Sequence, residues 1–228
     1  MGACPDGVGQ LTEIPTARDG LVFREILPSE ISLAESTVGP GRTTPGRHSG
    51  SHRGAPGDGG PEQGVAVLAL DRLGICSLGI DHGEAGEPLW PMGVIGSITH
   101  VGPFHAAAAA HASRVHAIGI DAVRHRELPE SVRAYVRTRA EAEHLLHLST
   151  VIPDVLWDCV LFGAKEAVYK AQFPITRQWL EFGDVEITFS PHDGQFSASV
   201  RGRKFGNRWK GQYRVQAGIV AVSFVCRG

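Results

Sequence analysis

The chain has 228 residues, 42% of them hydrophobic, and a formal net charge of -2, enough for one large domain or two small ones and too little positive charge for a general nucleic-acid binder. No run approaches the ~18 apolar residues of a membrane span, and the first twenty residues lack the basic start and apolar run of an export signal. Cys4, Cys76, Cys159 and Cys226 are far apart, without C-x-x-C spacing, so a cytoplasmic protein without a zinc or redox centre is expected.

Residues 39–64 are dense in Gly, Pro, Arg, Ser and His and read as a loop or linker with almost no apolar residues to anchor it. Val65 to Leu73 returns to an apolar pattern, and Gly86-Glu87-Pro88-Leu89-Trp90-Pro91 reads as a proline-bracketed turn. Phe104 to His111 is alanine-rich and Val115 to Ile120 is apolar, separated by Ala112-Ser113-Arg114. Alanine propensity suits a helix, while two short runs around a polar turn suit a hairpin, which is the reading adopted. Such a hairpin brings its outer ends together and puts His100 beside Asp121.

Glu141 to Leu148 has helical spacing, and Pro153-Asp154 reads as the opening of a second helix. That helix would bury Trp157, Val160, Leu161, Ala164, Val168 and Ala171 and end at Phe173-Pro174. Four β-prone runs follow, Val185 to Phe189, Phe196 to Val200, Trp209 to Val215 and Ile219 to Val225, an antiparallel meander. Helices backed on antiparallel strands make the fold class α+β.

Three patches offer chemistry. Phe162, Glu166 and Lys170 are each four apart on one helix face, where the plainest alternative is an exposed Glu–Lys pair worth about 0.3–0.5 kcal/mol. Gly96-Ser97-Ile98-Thr99-His100 supplies two hydroxyls and an imidazole able to donate to phosphate, or else to cap a turn. Gly119-Ile120-Asp121 ends a strand in a carboxylate suited to a hard cation, and magnesium needs only one or two protein carboxylates. A histidine metal hydrolase built on His48 and His52, or on His144 and His147, is a weaker alternative, because the first pair lies in the Gly-rich loop.

In order and spacing, Gly86 to Pro91, Gly96 to His100, Ala117-Ile118-Gly119-Ile120-Asp121, and Trp157-Asp158 through Phe162-Gly163-Ala164-Lys165-Glu166-Ala167-Val168-Tyr169-Lys170-Ala171 resemble the motifs of the 4'-phosphopantetheinyl transferase superfamily. The resemblance is to the larger group that activates siderophore and peptide synthetases (enterobactin/surfactin type). Trp179-Leu180-Glu181-Phe182 resembles its continuation. The resemblance implies two similar α+β halves, 1–113 and 114–228, related by pseudo-two-fold symmetry, with coenzyme A and magnesium in the cleft between them. It implies a monomer that transfers 4'-phosphopantetheine to a serine of acyl, aryl or peptidyl carrier proteins and releases adenosine 3',5'-bisphosphate.

By the same resemblance, Asp121 and Glu166 are magnesium ligands and Glu166 the general base. Lys165 and Lys170 meet phosphates, with Lys170 offsetting charge as it develops, and Ser97, Thr99, His100 and Asp121 complete the coenzyme A site. Two departures stand out. Val123 occupies the place of a glutamate that the family usually carries, and Glu62 to Val67 offers no arginine where the family has a basic helix. The composition change at 40–67 suggests a locally shifted reading frame or a degenerate segment. With these departures, a non-catalytic relative that binds coenzyme A or a carrier is the alternative reading.

Overall fold

The computed structural model describes residues 22–37, 60–201, 206 and 209–228, with the backbone at 203–204. The segments 38–59 and 1–21, with His48, His52 and most of the Gly-rich loop, lie outside the described residues. Helix α1, Pro61–Asp71, starts with proline in its first turn after Gly60, where a missing N–H costs nothing. The expected loop 39–64 therefore gives way to helix at its last four residues.

Strands β1 (Ser32–Thr37), β4 (Val94–Val101) and β5 (Phe104–His111) form an antiparallel sheet in the order β1-β5-β4. A small ribbon, β2 (Asp81–His82) with β3 (Pro88–Leu89), carries the proline-bracketed turn. A second sheet has the order β6-β11-β10-β8-β7, from β6 (Val115–Arg124), β7 (Val185–Ser190), β8 (Gln195–Val200), β10 (Trp209–Gln216) and β11 (Ile219–Arg227), with the short β9 (Arg203–Lys204) paired to β8. Helices α2 (Glu130–Val136), α3 (Arg139–Val151) and α4 (Trp157–Thr176) connect β6 to β7. The fold is α+β, as expected.

The alanine-rich run is a strand because it is buried on both faces. Ala106, Ala108 and Ala110 pack with Ile118, Ile120 and Ala122 of β6, while Ala107 and Ala109 pack with Val65, Ala66 and Ala69 of α1. Only small side chains leave room for a layer on each side, and this packing overrides helix propensity. The expected hairpin between the two runs does not form. β5 pairs with β4 in register from Val94↔His111 to Val101↔Phe104, whereas β6 pairs with β11. The Ala112-Ser113-Arg114 turn passes the chain from one sheet to the other.

Helix α4 buries all six residues of the expected stripe, but its ends differ from expectation. It begins at Trp157 with Leu156, not Asp154, at the cap position, and it runs through Pro174 to Thr176, ending at Arg177 in the left-handed conformation (φ 55°). Proline so close to the end disrupts only the last turn. Helix α3 opens with a capping box: Glu141 N–H donates to Thr138 Oγ1 at 3.2 Å, and Thr138 N–H donates to Glu141 Oε2 at 2.7 Å.

Candidate active site

Side chains alternate along β6, so Ile118, Ile120 and Ala122 face the first sheet while Gly119, Asp121 and Val123 face α4. A Cβ added to Gly119 would stand 1.9 Å from the Ala167 carbonyl oxygen and 2.7 Å from the Ala171 nitrogen. One at Gly163 would meet Val123 Cγ2 at 2.9 Å and Val222 Cγ2 at 3.0 Å, with Asp121 Oδ2 at 3.7 Å. The glycine of Gly-Ile-Asp and the glycine of the helix motif thus let α4 lie directly on β6. This close approach brings Glu166 and Lys170 over Asp121.

Lys170 Nζ donates to Asp121 Oδ1 at 2.7 Å and to the Ile120 carbonyl at 3.3 Å. Thr99 Oγ1 donates to the same carboxylate oxygen at 3.1 Å and accepts the Ala122 N–H at 3.0 Å. Asp121 is 7% exposed, and with Oδ1 held twice its Oδ2 is directed toward Gly163. Glu166 has no hydrogen-bond partner among the described residues, and burial, then the charge of Asp121, push its carboxyl above the usual carboxylate range despite Lys170. Tyr169, one helical turn from Glu166, is pushed up by burial and then by Glu166 and Glu87. The Glu–Lys pair of the plain alternative is replaced by a Lys170–Asp121 pair across two elements.

β6 is an edge strand, and its outward N–H groups need acceptors. Ser97 Oγ accepts from Ile120 N–H at 3.1 Å, as Thr99 does from Ala122, so the two hydroxyls of β4 stitch the sheets together. Both are almost fully buried. Ser97 thus serves the β6 backbone as an acceptor, and Thr99 orients Asp121. The expectation that a hairpin end brings His100 to Asp121 is corrected. Neighbouring strand residues point to opposite faces, and His100 stacks on His105 at 5.6 Å with Nδ1 2.5 Å from Glu62 Oε1.

Lys165 is held in a different environment from Lys170. It is 2% exposed, and its ammonium donates to Glu141 Oε2 at 2.7 Å, the Val136 carbonyl at 2.8 Å and the Phe182 carbonyl at 2.9 Å. All three protons are spent, and burial holds its pKa down against the pull of Glu141. Its contacts join the end of α2, the start of α3 and Phe182 to α4. His144, part of the histidine alternative, accepts Phe189 N–H at 3.1 Å. Gly119 and Gly163 are further contact residues of the site, and a glycine inside a strand is a signal in the sequence of close approach by another backbone.

Among the described residues no group of three or more His, Cys, Asp and Glu side chains could hold a metal ion. The site offers two carboxylates, with Val123 on the same face of β6. One carboxylate without a partner, beside a second, fits a hard divalent cation that takes its remaining ligands from phosphate and water.

Comparison with known proteins gives the family of the chain. Residues 117–222 match the model of the 4'-phosphopantetheinyl transferase superfamily, and residues 64–110 match that of the 4'-phosphopantetheinyl transferase N-terminal domain. A 4'-phosphopantetheinyl transferase of Streptomyces mobaraensis is 39% identical over 164 residues, 69% of this chain and 67% of its own length. The chain belongs to the 4'-phosphopantetheinyl transferase superfamily. Transferases of Nocardia iowensis and Mycobacterium tuberculosis are 46% and 42% identical over 129 and 125 residues. Those matches span only 57% and 54% of the relatives' lengths. The superfamily match runs from within β6 into β11, and so contains Asp121, Glu166 and Lys170. The N-terminal match begins at residue 64, at the end of the Gly-rich segment 39–64. No helix among the described residues is long and apolar enough to cross a membrane.

Proposed function

We propose that the protein transfers 4'-phosphopantetheine from coenzyme A to a serine hydroxyl of an acyl, aryl or peptidyl carrier protein. The observation that carries this reading is the Thr99–Asp121–Lys170 hydrogen-bonded cluster with the unpartnered Glu166 carboxylate beside it. The serine oxygen forms a bond to the phosphorus that bears pantetheine, and the pyrophosphate P–O bond breaks. Adenosine 3',5'-bisphosphate leaves with that electron pair, and the serine proton passes to Glu166. A carboxylate with a raised pKa is a better proton acceptor at neutral pH than an exposed one.

Asp121 and Glu166 are the residues that would hold magnesium, which when bound supplies neutralisation of the pyrophosphate charge. Lys170, fixed by Asp121, presents positive charge to the phosphoryl group as negative charge develops. His100 meets another phosphate of the extended coenzyme A in this reading. The siderophore and peptide-synthetase group, a monomeric state and a cytoplasmic setting belong to the same proposal.

Val123 supports a second reading, in which the chain binds coenzyme A or a carrier without efficient turnover. Its apolar side chain stands where the family resemblance implies a further carboxylate. Incubation with coenzyme A, magnesium and apo-carrier proteins separates the two. Addition of phosphopantetheine to a carrier serine, read by mass, establishes transfer. Retained coenzyme A binding with no addition to any carrier establishes the second reading.

A further inference from the structure

We propose that Arg177 is a positioning residue: through Glu87 it latches the β2–β3 ribbon onto the end of α4 and so closes the side of the site where Tyr169 stands. The two residues are 90 apart in sequence, and their ion pair joins the N-terminal ribbon to the C-terminal helix. The ribbon needs such a tie. Among the described residues its two strands, of two residues each, pair only with each other. Trp90 holds the end that leads into β4, its Cζ2 lying 2.5 Å from where a Gly96 Cβ would stand.

Both partners are prepared for the contact. The Glu87 side chain folds back over Gly83, where an added Cβ would stand 2.3 Å from the carboxylate carbon, and its Oε2 accepts the Ala85 N–H at 3.1 Å. That leaves Oε1 for Arg177 Nη1. The backbone N–H of Glu87 itself, and then Arg177, hold the carboxyl below the usual carboxylate range, so the pair is charged at neutral pH. Arg177 sits at φ 55°, ψ 20°, a left-handed position that glycine commonly fills after a helix. Its N–H meets the Phe173 carbonyl at 2.9 Å, and its guanidinium carbon stands 5.7 Å from the centre of the Phe173 ring. A long side chain kept on backbone of this kind points to a task for that side chain.

The latch reaches the site through a row of rings. Phe173 and Tyr169 have ring centres 5.4 Å apart, and Tyr169 meets Trp179 edge-on at 5.2 Å. Tyr169 is one helical turn from Glu166, and its hydroxyl feels both Glu166 and Glu87. Release of the ribbon therefore opens the site beside Tyr169 and leaves Asp121, Glu166 and Lys170 in place. On the transferase reading, on which this consequence rests, coenzyme A is then held less tightly while the reacting groups are unchanged.

The test compares the full parent chain with Glu87→Gln, Arg177→Gly, Arg177→Lys and the double variant Glu87→Gln/Arg177→Gly. Glycine suits the left-handed backbone, so Arg177→Gly removes the pair without adding strain. Amide hydrogen exchange at Gly83, Ala85 and Gly86 reads the ribbon directly. Glu87→Gln and Arg177→Gly should each speed it about two- to fivefold, the range for a pair whose arginine is largely exposed. The double variant should exchange no faster than either, because both changes break one contact. Arg177→Lys keeps a donor for the single Oε1 contact and should exchange like the parent. In steady-state transfer, the KM for coenzyme A should rise by a similar factor at constant kcat.

The proposal is overturned if ribbon exchange is the same in the parent and both single variants, if the two effects add in the double variant, or if transfer proceeds with an unchanged KM. A parent that transfers nothing overturns the functional reading and not the latch, which the exchange rates then decide alone.

Discussion

Gly119 and Ala167 are in contact so close that no side chain fits between them: a Cβ at residue 119 would stand 1.9 Å from the Ala167 carbonyl oxygen. Because that oxygen belongs to the α4 backbone, relief requires the whole helix to move. Gly119→Ala is therefore expected to destabilise the protein by about 1–3 kcal/mol, the usual range for overpacking, and to reduce transfer far more than the stability loss explains. Gly163→Ala meets only valine methyl groups, which can shift, and should be the milder of the two. Thermal melts and transfer rates on both variants check the ranking.

The two lysines of the helix motif are expected to fail differently. Lys165→Met removes one partner of a fully buried ion pair and leaves Glu141 uncompensated, a change that costs about 3–5 kcal/mol. Lys170 is partly exposed, and Lys170→Met, which leaves Asp121 with Thr99 as its remaining partner, should lower the melting temperature less than Lys165→Met while reducing transfer by at least about a hundredfold, as removal of a charge-stabilising group does. Equal melting temperatures for the two variants would falsify the separation of roles.

Glu166 should govern the acid side of the pH profile. Its folded-state pKa is raised by burial and by Asp121, so the base is lost to protonation at a higher pH than for an exposed glutamate, and the rate should rise as pH increases through that value. The same shift has a stability consequence of defined sign. A raised carboxylate pKa favours folding at low pH, and that contribution is lost as pH rises through the folded value. Glu166→Gln should therefore abolish transfer and gain stability relative to the parent as pH rises. Melting curves at several pH values give the comparison.

Thr99→Val keeps the shape of the side chain and removes the hydroxyl that orients Asp121 and caps Ala122 N–H. The buried N–H left unmet is expected to cost about 1–3 kcal/mol. The metal-binding curve should weaken as well, a change that Ser97→Ala, whose hydroxyl touches only the Ile120 N–H, should not reproduce.

Val123→Glu places a third carboxylate on the α4 face of β6. Calorimetric titration with magnesium should show tighter binding, because site charge and ligand number set the affinity of hard-cation sites. Unchanged affinity would show that residue 123 does not reach the cation.

Much of the site was readable in the one-dimensional pattern. Glu166 and Lys170 share a helix face through their spacing, and Asp121 ends its motif whatever it contacts, so local periodicity was sufficient to nominate them. Lys165 shows where that reasoning stops. It is adjacent to Glu166, but one residue is about 100° around a helix, and only the packing of α2 and α3 against α4 showed that this direction points into the core.

The sequence alone determined the α+β class, the strands of the C-terminal meander and the motif residues, because turn chemistry, alternation and helical spacing are local properties. Tertiary structure decided which strands pair. The alanine run and β6 are neighbours in sequence but belong to different sheets, since β6 finds a longer ladder with β11 while its other edge is met by the hydroxyls of Ser97 and Thr99. That partition placed Thr99 on Asp121 and turned His100 away. Which groups meet was set by non-local packing, and no spacing along the chain encodes it.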